Sequence, residues 1–333
     1  MVLSTEKERL QKLCSRDALA SFPLHSRAHL MQKARWYVKR DDELGFSISG
    51  SKLRKYASIL PFIKKEKKPV ALVGSFSSNH ILSLVQLLKQ EGISYQLFLE
   101  KTHGAKGNAF FLSLLLRENE VIWIDQVPSI LEKTWTQAWE ERCSREFVWI
   151  PMGGCMKEAL VGSLTLALDL LQNEQDLGVF FDHVFVDAGT GMSAIALILG
   201  MSYLQKKLRI HVVLIAGSCE EFSKNLSYFH EYLQELLGVS FPILTYETHQ
   251  PSIAKSFGSF NASVRNCIKK TAEMEGIFLD PMYTAKLVTK MQEVVCRDNL
   301  TGNIIWVHSG GALSLSGFQE AFSQYLPAAL FTP

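Results

Sequence analysis

The chain has no strong charge excess, no paired cysteines and no long apolar run, and each absence removes a class of function. Its 35 Lys and Arg against 33 Asp and Glu leave a formal charge of +2 over 333 residues, too weak a field to gather nucleic acid or an anionic membrane surface. Six cysteines, at 14, 143, 155, 219, 267 and 296, never fall in a C-x-x-C spacing. Neither a zinc knuckle nor a disulfide framework is legible in that spacing. The first residues, Met1-Val2-Leu3-Ser4-Thr5-Glu6-Lys7-Glu8, lack the apolar core of a signal peptide. The nearest candidate for a bilayer span, Val179 to Leu204, is broken by Asp182, Asp187 and a glycine turn. Tandem repeats and low-complexity segments are absent too. The expectation is a cytoplasmic protein with reduced thiols and neither a nucleic-acid nor a membrane partner.

What is present is an alternation. With 47% apolar and 20% charged residues, the chain has an ordinary globular composition but exceeds the size of one typical core, so two lobes are expected. Short β-rich runs at Val70–Gly74, Tyr95–Leu99, Val121–Ile124 and Phe147–Ile150 alternate with helical stretches at about Asn79–Glu91, Asn108–Arg117 and Ser129–Arg142. A second alternation runs through His183–Val186, Ile210–Ile215 and Ile304–Val307, with Tyr37-Val38-Lys39 expected to join it. The basic run Lys64-Lys65-Glu66-Lys67-Lys68-Pro69 reads as a solvated connector. The expected fold is α/β, doubly wound, with two lobes, each a mostly parallel twisted sheet with helices on both faces. Residues 55–160 would form the smaller, inserted lobe, and residues 1–54 and 161–333 the larger.

In such sheets ligands bind beyond the carboxyl ends of the strands, and the candidate motifs fall there. Gly189-Thr190-Gly191-Met192-Ser193 precedes an apolar helix expected over Ala194 to Leu204. Glycines let successive amides converge on one anion, with the helix dipole behind them. A bare strand-to-helix turn competes with that reading. So does a dinucleotide turn, with Glu220 or Glu221 as its acid, although Ala194 stands where a third glycine belongs. Ser78-Asn79-His80 reads as a helix cap or as a carboxylate cradle. Lys52, behind Gly50-Ser51, is a surface lysine unless burial beside a cation such as Arg54 or Lys55 lowers its pKa and frees a nucleophilic amine. Asp280-Pro281-Met282-Tyr283-Thr284 reads as a turn into a helix over Ala285–Arg297, with Tyr283 a core aromatic, and His308 as a satisfied strand-end histidine.

Taken in order, these segments resemble the fold-type-II pyridoxal-phosphate (PLP) enzymes called D-cysteine desulfhydrase and 1-aminocyclopropane-1-carboxylate (ACC) deaminase, whose fold is tryptophan synthase beta-like. The likeness rests on Lys39 to Asp42 with Gly50 to Lys55, Ser78 to His80, Ile150 to Gly154 with Gly162, Leu279 to Lys286, and His308 to Gly311. It implies a homodimer acting on a small amino acid. Lys52 would hold PLP through its amine and then act as base at Cα. Asn79 would bond the phenolic oxygen, Ser78 with Asn79 and His80 the substrate carboxylate, and Gly189, Thr190, Gly191, Met192 and Ser193 the phosphate. Tyr283 would lie against the ring or substrate.

The residue after that tyrosine separates the two activities. In the deaminases it looks like a glutamate that protonates the ring nitrogen; here it is Thr284, as in the desulfhydrases, with Ser309 beside it. A neutral hydroxyl leaves a weaker electron sink, sufficient for β-elimination. The resemblance therefore implies a carbon–sulfur lyase taking D-cysteine to pyruvate, sulfide and ammonia. The alternatives are an ACC deaminase, a lyase for another β-substituted amino acid, or a PLP-binding homologue with little turnover. Departures from the pattern motivate the last: Ser51 for asparagine, Ser75 and Ser77 for glycine and glutamine, Met192 for glycine, and Phe260 where a second tyrosine is expected.

Overall fold

Runs of β-branched and apolar residues become strands, and longer mixed stretches become the helices between them. A computed structural model describes the chain except residues 1, 16–18, 33–35, 46–48, 101–103, 105, 125–145 and 326–333. The helix expected at Ser129–Arg142 lies outside the described residues. The chain opens with α1 (Val2–Leu13), β1 (Ala28–Leu30) and β2 (Tyr37–Lys39), followed by α2 (Lys52–Glu66). Then come β3 (Val70–Ser75), α3 (Asn79–Gln90), β4 (Tyr95–Glu100), α4 (Asn108–Leu115), β5 (Val121–Ile124) and β6 (Val148–Ile150). The rest holds α5 (Lys157–Leu177), β7 (His183–Ala188), α6 (Met192–Tyr203), β8 (Arg209–Leu214), α7 (Cys219–Leu237) and β9 (Tyr246–His249). It closes with α8 (Ala262–Glu275), α9 (Thr284–Arg297), β10 (Ile304–Val307) and α10 (Gln319–Phe322).

Two sheets result. Six strands run β1-β2-β10-β7-β8-β9, parallel except for β1, and four run β5-β4-β3-β6, all parallel. The four-stranded sheet is built wholly from residues between β2 and β7, and Tyr37–Lys39 joins the larger sheet beside β10. Val184 and Val186 pack on one face of the larger sheet with Leu164, Ile195 and Phe222 of α5, α6 and α7. Phe185, Val213 and Trp306 meet Ile268, Leu287 and Met291 of α8 and α9 on the other. Each such side chain, fully buried, contributes about 1.5–3 kcal/mol of transfer free energy. Strands β1 and β9 were not legible as apolar runs: β9 reads Tyr-Glu-Thr-His and is half-buried throughout. No helix among the described residues is long and apolar enough to cross a membrane.

Helix α2 carries Lys52 at its first position, and its seating decides where that amine goes. Pro61 inside it cannot donate to Ala57 O, a loss that usually breaks a helix. Here the freed carbonyl accepts from Ala20 N at 2.7 Å. Gly162 of α5 lies so close that an added Cβ would overlap Arg54 O, and the two helices touch backbone to backbone.

Candidate active site

The Lys39–Asp42 segment and Arg54 form a buried ionic frame that holds the start of α2. Arg54 donates to both oxygens of Asp41, at 2.7 and 2.6 Å, and to Asp169 Oδ2 of α5 at 2.6 Å. Lys39 Nζ donates to Asp169 and to Asn173 Oδ1, and Ser26 and Ser51 hydroxyls donate to Asp41. Burial alone would raise Asp41, but the Arg54 guanidinium outweighs it and holds the carboxyl at about 2. The frame corrects one expectation. Arg54 is committed to Asp41 and Asp169 and does not stand over Lys52.

The Gly50-Ser51 step is held in place. Ser51 N donates to Ser309 O at 3.1 Å, and a Cβ on Gly50, whose φ is 54°, would overlap the same carbonyl. This contact pins the Lys52 turn to the loop after β10. That loop is fixed in turn by His308, which receives Gly310 N at 3.2 Å and bonds Phe278 O at 3.0 Å.

Lys52 is partly accessible, as are Ser78, Asn79, Asp187, Gly189, Thr190, Ser193, Tyr283 and Ser309, while their flanking strands are buried. That pattern marks the walls of a crevice. Burial lowers the Lys52 pKa, opposed by the carboxylates of Asp187 and Asp280. Lys55 is pushed down to about 8, first by burial and then by the Lys52 charge, and donates to Gly153 O at 3.0 Å. The Lys52 charge thus acts on Lys55, whereas Lys52 itself is lowered by burial and not by a cationic neighbour.

Asp280 closes the turn that leads into α9, accepting from the amides of Tyr283 and Thr284 at 2.8 Å and Met282 at 3.2 Å. Burial nonetheless raises it to about 6, with Asp187 adding to the rise. Asp187 ends the apolar run of β7. Burial raises its pKa against Ser309 and Lys52, and its Oδ1 is buried without a partner. Sequence reasoning missed Asp187, although an acid at the end of an apolar strand was a visible signal.

Helix α6 begins at Met192, two residues earlier than expected, with Gly191 (φ 91°) as a cap that offers no side-chain bond. The first amides of a helix have no partner within it, so these remain for an anion. The Met192 side chain is fully buried in the core; the departure from glycine turns inward and leaves the backbone free. Thr190 stands over Gly153, whose added Cβ would lie 2.6 Å from its side chain. The Tyr283 ring lies against Gly189, 3.2 Å from where a Cβ would be.

Ser78 caps α3, accepting from His80 N at 3.2 Å and Ile81 N at 3.4 Å, which leaves its hydroxyl proton to donate. Asn79 Oδ1 accepts from Asn108 at 2.6 Å, turning Nδ2 toward Gly311. Asn108, 29 positions away, carries no sequence signal for this role. His80 is buried, with Nδ1 on Tyr56 OH at 2.9 Å and Nε2 unpartnered; burial and the two lysines keep it neutral.

Thr284 is fully buried, and its hydroxyl accepts from Asp280 N at 2.7 Å. Phe260 packs on Phe318 and Phe322, and the aromatic that reaches Tyr283 is Phe257, at 6.0 Å between centroids. Glu221 is spent in a capping box with Ser218, and Glu220 pairs with Lys224, which removes the acid a dinucleotide site would need.

A phosphate-bearing aldehyde fits these residues. An amine whose charge is disfavoured, uncapped helix-start amides, a free amide donor and an orphaned carboxylate oxygen converge on one crevice. The comparisons agree. A Pyrococcus horikoshii protein provisionally named 1-aminocyclopropane-1-carboxylate deaminase is 28% identical over 280 residues, 83% of this chain and 84% of its own. D-cysteine desulfhydrase of Salmonella typhi is 24% identical over 294 residues, 85% and 88% of the two chains. A solved structure described as an ACC deaminase homologue superposes with a TM-score of 0.84 at 24% identity, covering 96% of this chain and 99% of its own. The family described as "Pyridoxal-phosphate dependent enzyme" matches residues 21–310. The chain belongs to this family, as a PLP-dependent enzyme of the group that holds the ACC deaminases and D-cysteine desulfhydrases.

Proposed function

We propose that the protein catalyses β-elimination on a small β-substituted amino acid, with D-cysteine the first candidate. The observation that carries this reading is Thr284: a neutral hydroxyl, engaged by Asp280, occupies the position where the deaminase pattern has a carboxylate. PLP, when bound, supplies an aldehyde that condenses with amines and a ring that accepts the electron pair left at Cα.

The chain's own groups do the rest. The amides of Met192 and Ser193 and the turn from Gly189 would hold the phosphate, and Lys52 would hold the aldehyde end of the cofactor. Asn79 Nδ2 would donate to the phenolic oxygen. Ser78 would donate to the substrate carboxylate, helped by the start of α3. With its amine free, Lys52 would take the Cα proton. The β-thiol then departs with its electron pair. Water completes the balance: D-cysteine and water give pyruvate, hydrogen sulfide and ammonia.

ACC deamination is the second reading. Asp187 favours it, because its unpartnered oxygen brings a carboxylate to the crevice that Thr284 does not supply. The provisional name of the Pyrococcus relatives points the same way.

Purified holoenzyme offered D-cysteine, L-cysteine and ACC separates the readings. Sulfide and pyruvate from D-cysteine support elimination, and 2-oxobutanoate from ACC supports the second. Turnover of none refutes the D-cysteine and ACC assignments, and inertness toward a panel of other β-substituted amino acids as well leaves a PLP-binding protein and refutes elimination. Borohydride should fix the cofactor to the Lys52 peptide, and Lys52→Ala should lose the label while remaining folded. A label on any other lysine sinks the assignment.

A further inference from the structure

Away from this crevice, on the face of the larger sheet covered by α8 and α9, three imidazoles run in a row across β7, β8 and β9. His183 Nδ1 lies 3.0 Å from His211 Nε2, and His211 Nδ1 lies 3.1 Å from His249 Nε2. His211 stacks on Phe185 at 4.3 Å, which fixes its ring plane. Glu247, the register partner of His211 on the edge strand, adds a carboxylate. Its Oε2 is 3.7 Å from His211 Nδ1 and 3.9 Å from His249 Nε2.

We infer that His211, His249 and Glu247 form a binding site for a divalent first-row transition ion, with Zn2+ the reference case. The argument is metric. Distances of 3.7 and 3.9 Å are too long for hydrogen bonds, so a purely hydrogen-bonded row leaves the carboxylate oxygen idle beside two imidazoles. The three atoms instead close a triangle of 3.1, 3.7 and 3.9 Å. A point about 2.1 Å from all three lies inside it, within the ligand range for zinc–nitrogen and zinc–oxygen bonds.

The second layer is also in place. His211 Nε2 faces His183, so its other nitrogen is left to ligate, the arrangement that orients a metal-bound imidazole. Two histidines and one carboxylate leave a further position for water. The Glu247 side chain is 37% exposed, which opens a path from the sheet edge. Arg209, 3.5 Å from the other Glu247 oxygen, and nearby Arg297 and Lys290 oppose a cation, and Asp298 partly offsets them. A bound ion would tie the four-residue edge strand β9 to β8, two strands out from the Asp187 of the crevice.

The test uses PLP-loaded full-length protein, stripped with EDTA, exchanged into chelator-free buffer and titrated calorimetrically with ZnCl2. One equivalent should bind, with a rise in Tm, and Co2+ should give visible d–d absorption of a nitrogen- and oxygen-ligated site. Glu247→Gln and His249→Gln should each weaken binding about tenfold or more. Both should keep the cofactor absorbance and, without metal, the parent Tm. A protein that takes up no Zn2+, or variants that bind it as the parent does (the result if cysteines were the ligands), would overturn the proposal.

Discussion

Replacing Arg54 by methionine removes the one guanidinium that serves both Asp41 and Asp169 while keeping most of the side-chain volume. In the protein as it stands, Asp41 is held at about 2 against an ordinary value of 3.8, a depression equivalent to about 2 kcal/mol at 1.36 kcal/mol per unit. The variant loses more than this. Two buried carboxylates keep Lys39, with His25 and the Ser26 amide on Asp169 and the Ser26 and Ser51 hydroxyls on Asp41, but lose their guanidinium; breaking a buried ionic arrangement by deleting one partner costs about 3–5 kcal/mol.

The pH dependence follows with a definite sign. With Arg54 present, the folded pKa of Asp41 lies below its unfolded value. Its contribution is therefore complete above about pH 4 and lost as pH falls toward 2. Without Arg54, burial raises the carboxyl above its unfolded value. The penalty is then full at neutral pH and shrinks as pH falls through the raised pKa. Urea unfolding of both proteins at pH 8 and pH 5 should show a gap of several kcal/mol that narrows at the lower pH. A gap under about 1 kcal/mol, or one that widens on acidification, refutes the frame as the anchor of α2.

Two further outcomes bear on the crevice. Asp187→Asn removes a charge that raises the Lys52 pKa, so the uncharged amine should persist to lower pH. The rate at which apoprotein takes up PLP should keep its form with a midpoint moved down in pH, and an unchanged or raised midpoint contradicts the placement. Gly153→Ala puts a methyl 2.6 Å from the Thr190 side chain, and overpacking of this kind costs about 1–3 kcal/mol. Fluorescence titration with PLP should show a weakened Kd, and a parent-like Kd would mean that Thr190 does not shape the phosphate turn.

Much of the architecture was legible because β3, β7, β8 and β10 carry apolar runs, as strands covered on both faces must; β5 is apolar as well, although Ile122 and Trp123 at its centre are exposed. Strand β9 was not, since Tyr246-Glu247-Thr248-His249 has neither an apolar run nor an alternation. Lys52, Ser78, Asn79, Gly189, Tyr283 and Ser309 were read as motif residues, and the fold sets the Tyr283 ring against Gly189, the Lys52 turn against Ser309 and Asn79 beside Gly311. Their supports were not legible. Asn79 leans on Asn108, and Lys39 on Asp169, across separations of 29 and 130 residues that no local periodicity encodes. Phe257 and Phe260 are three residues apart in one loop, and only the packing of Phe318 and Phe322 decides which of them meets Tyr283.

The backbone contact at Gly162 has a mechanical consequence. Because α2 and α5 meet there with no side chain between them, the helix bearing Lys52 behaves as a beam bolted to the floor of the larger sheet. A single methyl group at position 162 would lift the beam and tilt the amine away from its target without touching any residue of the crevice.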